Sequence, residues 1–179
     1  EAHGGTTQKF IGDAVMAVFG VPVAREDDAQ RAVTAALAMQ DRLVGLNREL
    51  SAAYGVELAV RMGVNSGTVV AGEALRDDAL VLGDPVNVAA RIEQAAATGE
   101  VLISEATHRL VRDRVVTEDS SPIEARGKRE PLAVHRLVGL RIGPRRARLD
   151  AVAIVDREEP LAELLAARDR VTRAQRPEG

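Results

Sequence analysis

Three side chains have types and spacings that suit metal-ion or anion chemistry. Asp13 follows Gly12 between two apolar runs, which predicts a hairpin with one carboxylate at its bend. Such a carboxylate could bind Mg²⁺, which prefers oxygen ligands, or could simply form the turn. Asn87 and Arg91 lie four residues apart, so a helix would present both on one face. They could orient and stabilise an anionic group, or they could serve local hydrogen bonding and solvation.

The elements that must position these residues alternate between strand and helix. Amphipathic spacing predicts a helix from about Ala29 to Tyr54, and a second helix with Asp84 as its cap and Pro85 at its first position that ends near Thr98–Gly99. Ser104 is expected to cap a third, short helix that ends at Val111. Besides the hairpin, apolar runs predict strands at Val56–Val64, Thr68–Gly72, Ala79–Leu82, Val101–Ile103, Val115–Thr117, Ile123–Arg126 and Leu132–Leu137. This order predicts an α/β (α+β) fold, a mixed β-sheet covered by helices.

Composition narrows the classes of protein further. The chain has 179 residues, of which 46% are hydrophobic and only 2% aromatic, so its core must be built from aliphatic side chains. A net charge of -3 gives no electrostatic case for direct nucleic acid contact. The absence of cysteine excludes disulfides and thiolate metal sites. No apolar run is long enough for a membrane span, and we expect a soluble cytoplasmic domain.

The segments Lys9–Gly20 and Gly83–Glu93 together closely resemble the class III nucleotidyl cyclase domain. Members of that family, the adenylate and guanylate cyclases, make cyclic AMP or cyclic GMP from the triphosphate and are phosphorus–oxygen lyases. The resemblance implies a ferredoxin-like sandwich over residues 1–140. It also implies a domain truncated at its amino terminus, lacking its first strand.

The resemblance implies roles for the three opening residues. Asp13 matches one of the two aspartates of the family that bind Mg²⁺ or Mn²⁺, with two ions in the complete domain. Asn87 matches the asparagine that orients the ribose, and Arg91 matches the arginine that stabilises the pentavalent transition state. The chemistry implied is attack of the ribose 3′ hydroxyl on the α-phosphorus with loss of pyrophosphate.

Substrate contacts are also implied, and here the chain departs from the family twice. The two lysines are Lys9, which matches the lysine that reads adenine, and Lys128. Lys128 lies with Arg126 in a segment similar to the family's triphosphate loop, where arginine replaces the first lysine. Leu80 occupies the position of the second purine-reading residue, and its side chain cannot accept a hydrogen bond. Lys9 favours ATP over GTP, whereas Leu80 weakens the discrimination.

Family members form head-to-tail homodimers with shared active sites, so Asp13 of one chain would meet Lys9, Asn87 and Arg91 of the other. The family's first metal aspartate lies in a segment to which residues 1–12 have no match. We therefore expect this chain alone to be inactive within a parent protein that is active. The alternative is a catalytically degraded cyclase homologue that regulates by nucleotide binding or dimerisation.

The carboxy-terminal part differs in character. Residues 141–152 form a basic linker, and residues 153–179 begin a new amphipathic helix. This stretch resembles the start of a P-loop ATPase module of the kind fused to cyclase domains, although a plain terminal helix explains it equally well. A fused ATPase or DNA-binding regulatory module is therefore one of two open interpretations.

Overall fold

The computed structural model describes residues 1–72, 80–124 and 131–141, and it separates the chain into two units, Glu1–Gly143 and Pro144–Gly179. All described residues belong to the first unit. Its helices are α1 (Asp28–Tyr54), α2 (Asp84–Ala95) and α3 (Glu105–Val111). Its strands are β1 (Thr6–Ile11), β2 (Ala14–Val18), β3 (Met62–Val64), β4 (Val70–Gly72), β5 (Leu80–Leu82), β6 (Val101–Ser104), β7 (Val115–Asp119) and β8 (Val134–Leu140).

The predicted hairpin at Gly12-Asp13 is confirmed. Strands β1 and β2 pair antiparallel up to Ile11 and Ala14, which leaves a two-residue loop. Gly12 has φ +64°, a left-handed conformation that glycine adopts without steric cost. The hairpin is a two-stranded sheet of its own, and the segment before it is held to α1 by Arg31, whose Nη1 donates to the Gly4 carbonyl over 2.9 Å.

A four-stranded mixed sheet in the order β3-β6-β8-β7 forms the centre of the domain. Strand β6 runs parallel to β3 and antiparallel to β8. Val101 and Ile103 of β6 belong to a core cluster with residues of α1 and α3, whereas Leu102 packs with Val88 and Ile92 of α2. Because successive strand residues point to opposite faces, helices cover both faces of this sheet. The predicted mixed sheet covered by helices is confirmed.

Helix α2 lies unusually close to strand β3, and a glycine makes this possible. A Cβ at Gly63 would overlap the Glu93 amide nitrogen and lie 2.5 Å from the Ala89 carbonyl oxygen. The loop after β3 adds a second attachment, since Asn65 Nδ2 donates to the Pro85 carbonyl over 3.0 Å. These contacts fix the first turn and the middle of α2 relative to the sheet.

The predicted strand Val56–Val64 is wrong over most of its length, because only Met62–Val64 pairs with a neighbour. Its partner β6 is four residues long, and Met62–Val64 are the residues of this segment with which it pairs. Earlier in the segment a side chain replaces a sheet partner. Asn47 of α1 accepts from the Leu58 amide over 2.9 Å and donates to the Leu58 carbonyl over 2.8 Å. The alternating apolar residues there are substantially exposed.

Helix ends were predicted with mixed success. Ser104 caps α3 as expected, accepting a hydrogen bond from the Thr107 amide over 3.1 Å. Helix α2 ends at Ala95, earlier than predicted, because Ala96 is extended while its amide still bonds to α2 carbonyls. Gly83 rather than Asp84 occupies the cap position, with φ +147°. Of the predicted strand Ile123–Arg126, Ile123 makes an isolated bridge to Leu132, and residues 125–130 lie outside the described residues.

The boundaries predicted beyond residue 141 also lie outside the described residues. Among the helices that the structure describes, none has the combination of length and apolar character needed to cross a bilayer.

Candidate active site

Asp13 lies at the tip of the β1–β2 hairpin with its side chain exposed. An added Cβ at the neighbouring Gly12 would meet no atom within 4 Å, so the space beside the bend is open. No described residue donates a hydrogen bond to the Asp13 carboxylate or forms an ion pair with it. The carboxylate is therefore available to an external cation.

Arg61 lies immediately before β3, and its charge couples the hairpin to α2. Its Nε donates to Glu93 Oε1 over 2.6 Å. The pKa of Arg61 is raised, first by this hydrogen bond and the charge of Glu93, and to a smaller extent by the charge of Asp13. The charge of the Asp13 carboxylate therefore acts on the Arg61 guanidinium, although no hydrogen bond or ion pair joins the two residues in the described part of the chain.

Asn87 and Arg91 both lie on α2, one turn apart, as predicted. Asn87 is exposed and Arg91 is half-buried. The buried stripe of the helix, Val88, Ile92 and the following Ala96, packs against Leu102 and the remainder of its core cluster. Arg91 has no hydrogen bond or ion pair with any described residue. The sheet thus fixes the position of α2, while the guanidinium of Arg91 stays free within the described part of the chain.

Two of the four remaining predicted substrate residues lie within the part of the chain that the structure describes. Lys9 is exposed in β1 and pairs in register with Met16 of β2. Leu80 begins β5, where its backbone pairs with Gly72. Arg126 and Lys128 lie outside the described residues.

Within the described part of one chain, no hydrogen bond or ion pair joins Asp13 to Lys9, Asn87 or Arg91. The contact that the described chain does form here joins Arg61 to Glu93, and Asp13 acts on Arg61 only through its charge. Sequence reasoning missed Arg61. The sequence contains no signal for it, because Arg61 occupies one of the positions between the alternating apolar residues that lead into β3.

Residues 1–139 match the family model described as "Adenylate and Guanylate cyclase catalytic domain". Adenylate cyclase 1 of Rhizobium meliloti (strain 1021) is 33% identical over 144 residues, which cover 78% of this chain and 22% of that protein. The chain therefore spans less than a quarter of the length of that relative.

Solved structures show the same likeness in three dimensions. The adenylyl cyclase CyaB from P. aeruginosa is 35% identical with a TM-score of 0.72, covering 79% of this chain and 75% of that one. The guanylyl cyclase Cya2 is 32% identical with a TM-score of 0.73, covering 79% and 73%. The match over residues 1–139, the relative and these folds agree, and the chain belongs to the adenylate and guanylate cyclase catalytic domain family.

Proposed function

We propose that this chain is the catalytic domain of a signalling cyclase that converts ATP to 3′,5′-cyclic AMP and pyrophosphate. In this reaction the ribose 3′ hydroxyl loses its proton, its oxygen bonds to the α-phosphorus, and pyrophosphate leaves. The observation that carries the proposal is that one domain presents both an exposed carboxylate, Asp13, and a half-buried Arg91 whose guanidinium has no partner among the described residues. Both groups are available to a substrate.

The exposed Asp13 carboxylate fits a divalent cation. Magnesium commonly takes one or two carboxylates and completes its coordination with substrate phosphates, and manganese accepts the same oxygen ligands. Mg²⁺ or Mn²⁺ at this position would supply charge stabilisation at the phosphates and help the hydroxyl lose its proton. Two-ion chemistry needs a second carboxylate, and the family's other aspartate has no match in residues 1–12. We therefore expect the complete protein to be active and the 179-residue chain alone to be inactive.

The cationic side chains of the chain have different proposed roles in the reaction. Arg91 would offset the charge that builds on the α-phosphorus, since its planar fork stays charged and presents two donors to phosphoryl oxygens. Arg61, on which the charge of Asp13 acts, would contribute positive charge towards the phosphates held there. Asn87 would orient the ribose, Lys9 would contact the adenine ring, and Arg126 and Lys128 would hold the triphosphate, roles that follow from the family resemblance.

A homodimer with shared sites accounts for the separation of these groups within one chain. The β1–β2 hairpin exposes apolar side chains beside Asp13, with Phe10 73%, Ile11 57% and Val15 58% accessible. Exposed apolar surface of this kind favours burial against another protein surface. A second copy would cover this surface and bring Asp13 of one chain towards Lys9, Asn87 and Arg91 of the other.

ATP is favoured over GTP by Lys9, while Leu80 reduces the expected selectivity because it offers no polar atom to the base. The same replacement favours a second candidate function, a degraded cyclase domain that regulates by nucleotide binding or dimerisation.

We further propose a cytoplasmic location and a domain of residues 1–140, followed by the linker 141–152 and the helical start of a fused regulatory module at 153–179.

The test is product formation by the complete protein with ATP or GTP in Mg²⁺ or Mn²⁺. Cyclic AMP that accumulates with ATP supports the proposal, and Asp13→Asn should abolish it. Asp41→Asn, at an exposed position on α1, is the matched control and should not. Nucleotide binding without any cyclic product in either metal would contradict the proposal and favour the regulatory alternative.

A further inference from the structure

A second group of metal-ligating side chains lies on α3 and β8. Glu105 and His108 occupy positions i and i+3 of α3, and His135 lies on β8. One ligand atom from each can be chosen so that all three lie within 4.8 Å of one another, and all three residues are half-buried. Two imidazoles and one carboxylate are a donor set that zinc accepts.

The contacts converge on a single oxygen atom. His135 Nε2 lies 2.7 Å from Glu105 Oε2, and His108 Nδ1 lies 3.8 Å from the same oxygen. The two imidazole rings stack with centroids 4.1 Å apart. Ligands about 2.0–2.1 Å from a tetrahedral ion lie roughly 3.4 Å from one another, a value between the two observed distances. An ion would therefore require His108 to move closer to Glu105, and His135 to move away from it.

Neighbouring groups already orient both rings for this purpose. His108 Nε2 lies 3.3 Å from Thr117 Oγ1, which leaves Nδ1 facing Glu105. His135 Nδ1 lies 3.6 Å from Asp119 Oδ1, an ion-pair distance that is too long for a hydrogen bond, while Nε2 faces Glu105. Metal-binding histidines almost always donate their other ring N–H to such a partner, which fixes the tautomer.

Arg109 holds the carboxylate in one orientation. Its Nε donates to Glu105 Oε1 over 2.7 Å. Arg109 occupies Oε1 and leaves Oε2 directed at the two imidazoles.

We propose that Glu105, His108 and His135 form a binding site for a divalent transition-metal ion of the zinc class, separate from the magnesium or manganese site at Asp13. The ion would be held by His108 Nδ1, His135 Nε2 and Glu105 Oε2, with Thr117 and Asp119 supporting the imidazoles. It would connect the first turns of α3 to β8, next to the Glu105 amide that already donates to the Ala133 carbonyl over 3.1 Å. Imidazole donors favour zinc over magnesium at this position.

The experiment uses the 179-residue chain, freed of metal by a chelator and titrated with Zn²⁺ against a chromophoric zinc indicator. We expect one equivalent to bind with micromolar or tighter affinity and to raise Tm. His108→Gln and His135→Gln should each weaken binding by more than about 100-fold, and Thr117→Val by about 10-fold. His3→Gln removes the third histidine of the chain and is the matched control, which should bind as the wild type does.

Imidazole NMR of the unmodified chain gives a second readout that does not depend on how the variants fold. On addition of one equivalent of Zn²⁺, His108 should bind through Nδ1 and His135 through Nε2, while His3 is unchanged. Binding lost in His3→Gln, zinc affinity only in the millimolar range, or unshifted rings of His108 and His135 would each overturn the proposal. The three residues would then form a hydrogen-bonded network without a metal.

Discussion

Arg61 Nε donates a hydrogen bond to Glu93 Oε1 over 2.6 Å, and this contact ties a guanidinium that the charge of Asp13 influences to the helix that carries Arg91. The side chains of Arg61 and Glu93 are 49% and 32% exposed. Solvent-exposed ion pairs contribute only about 0.2–1 kcal/mol to stability. The consequence of the contact is therefore the position of the Arg61 guanidinium rather than the stability of the domain.

Replacing Arg61 should affect catalysis more than folding. We expect Arg61→Ala in the complete protein to lower kcat/KM by about 10- to 100-fold, the loss of one charge-assisted hydrogen bond to phosphate. The free energy of unfolding should fall by less than about 1 kcal/mol. Glu93→Gln, which keeps the guanidinium but removes its charged partner, is the matched control and should lose less activity. Equal losses in the two variants would show that the ion pair matters rather than a cation facing the phosphates.

Gly63→Ala should destabilise the domain, because its Cβ would meet the backbone of α2 at Ala89 and Glu93. Backbone cannot move aside as a flexible side chain can, so the strand and helix must separate. Overpacking of this kind costs about 1–3 kcal/mol, measurable by urea unfolding. Gly45→Ala is the matched control, since Gly45 lies within α1 where an added Cβ meets nothing within 4 Å. It should stabilise by roughly 0.5–1 kcal/mol, and a neutral Gly63→Ala would contradict the close packing described.

The parts of the fold that local sequence controls could be predicted. Gly12-Asp13 has the composition of a two-residue turn, and Ser104 has the side chain that a helix cap needs. The prediction of a strand at Val56–Val64 was wrong over most of its length because pairing depends on a partner distant in sequence. Strand β6 pairs with only three of these residues. Alternation alone does not reveal the length of a partner strand.

The candidate site was predictable only in part for the same reason. Asp13, Asn87 and Arg91 belong to short contiguous motifs, so the sequence shows them directly. The Arg61–Glu93 contact joins residues 32 positions apart, and the His135–Glu105 contact joins residues 30 positions apart. The sequence separation of neither pair indicates a contact. The contacts form only because the sheet places β3 against α2 and β8 against α3.

Arg91→Lys should not preserve activity, although it keeps the charge. A lysine ammonium is a point charge and cannot present the two parallel donors of a guanidinium to phosphoryl oxygens. We expect kcat to fall by about 100- to 1000-fold, as when a donor to a developing oxyanion is removed, with little change in nucleotide affinity. Arg48→Ala, at an exposed position on α1, is the control and should leave kcat unchanged. A fully active Arg91→Lys variant would indicate that this residue only supplies charge near the substrate.

Stability in acid should depend on Glu105. Hydrogen bonds from His135 and Arg109 lower its folded-state pKa from 4.5 to about 2, so its contribution to stability is fully present above pH 4.5 and is lost as the pH falls towards 2. Urea unfolding in metal-free buffer should therefore show a smaller loss of stability across this window in Glu105→Gln than in the wild type. Glu57→Gln, at an exposed position, is the matched control and should follow the wild-type curve. Superimposable curves for Glu105→Gln and the wild type would contradict the assignment.

The shared active site is tested most directly by mixing two inactive variants of the complete protein, Asp13→Ala and Arg91→Ala, and measuring cyclic AMP formation after subunit exchange. Each mixed dimer would contain one site with both residues intact. Because half of the dimers in an equal mixture are mixed, we predict about a quarter of wild-type activity. A mixture that stays as inactive as its two components would contradict a site built from Asp13 of one chain and Arg91 of the other.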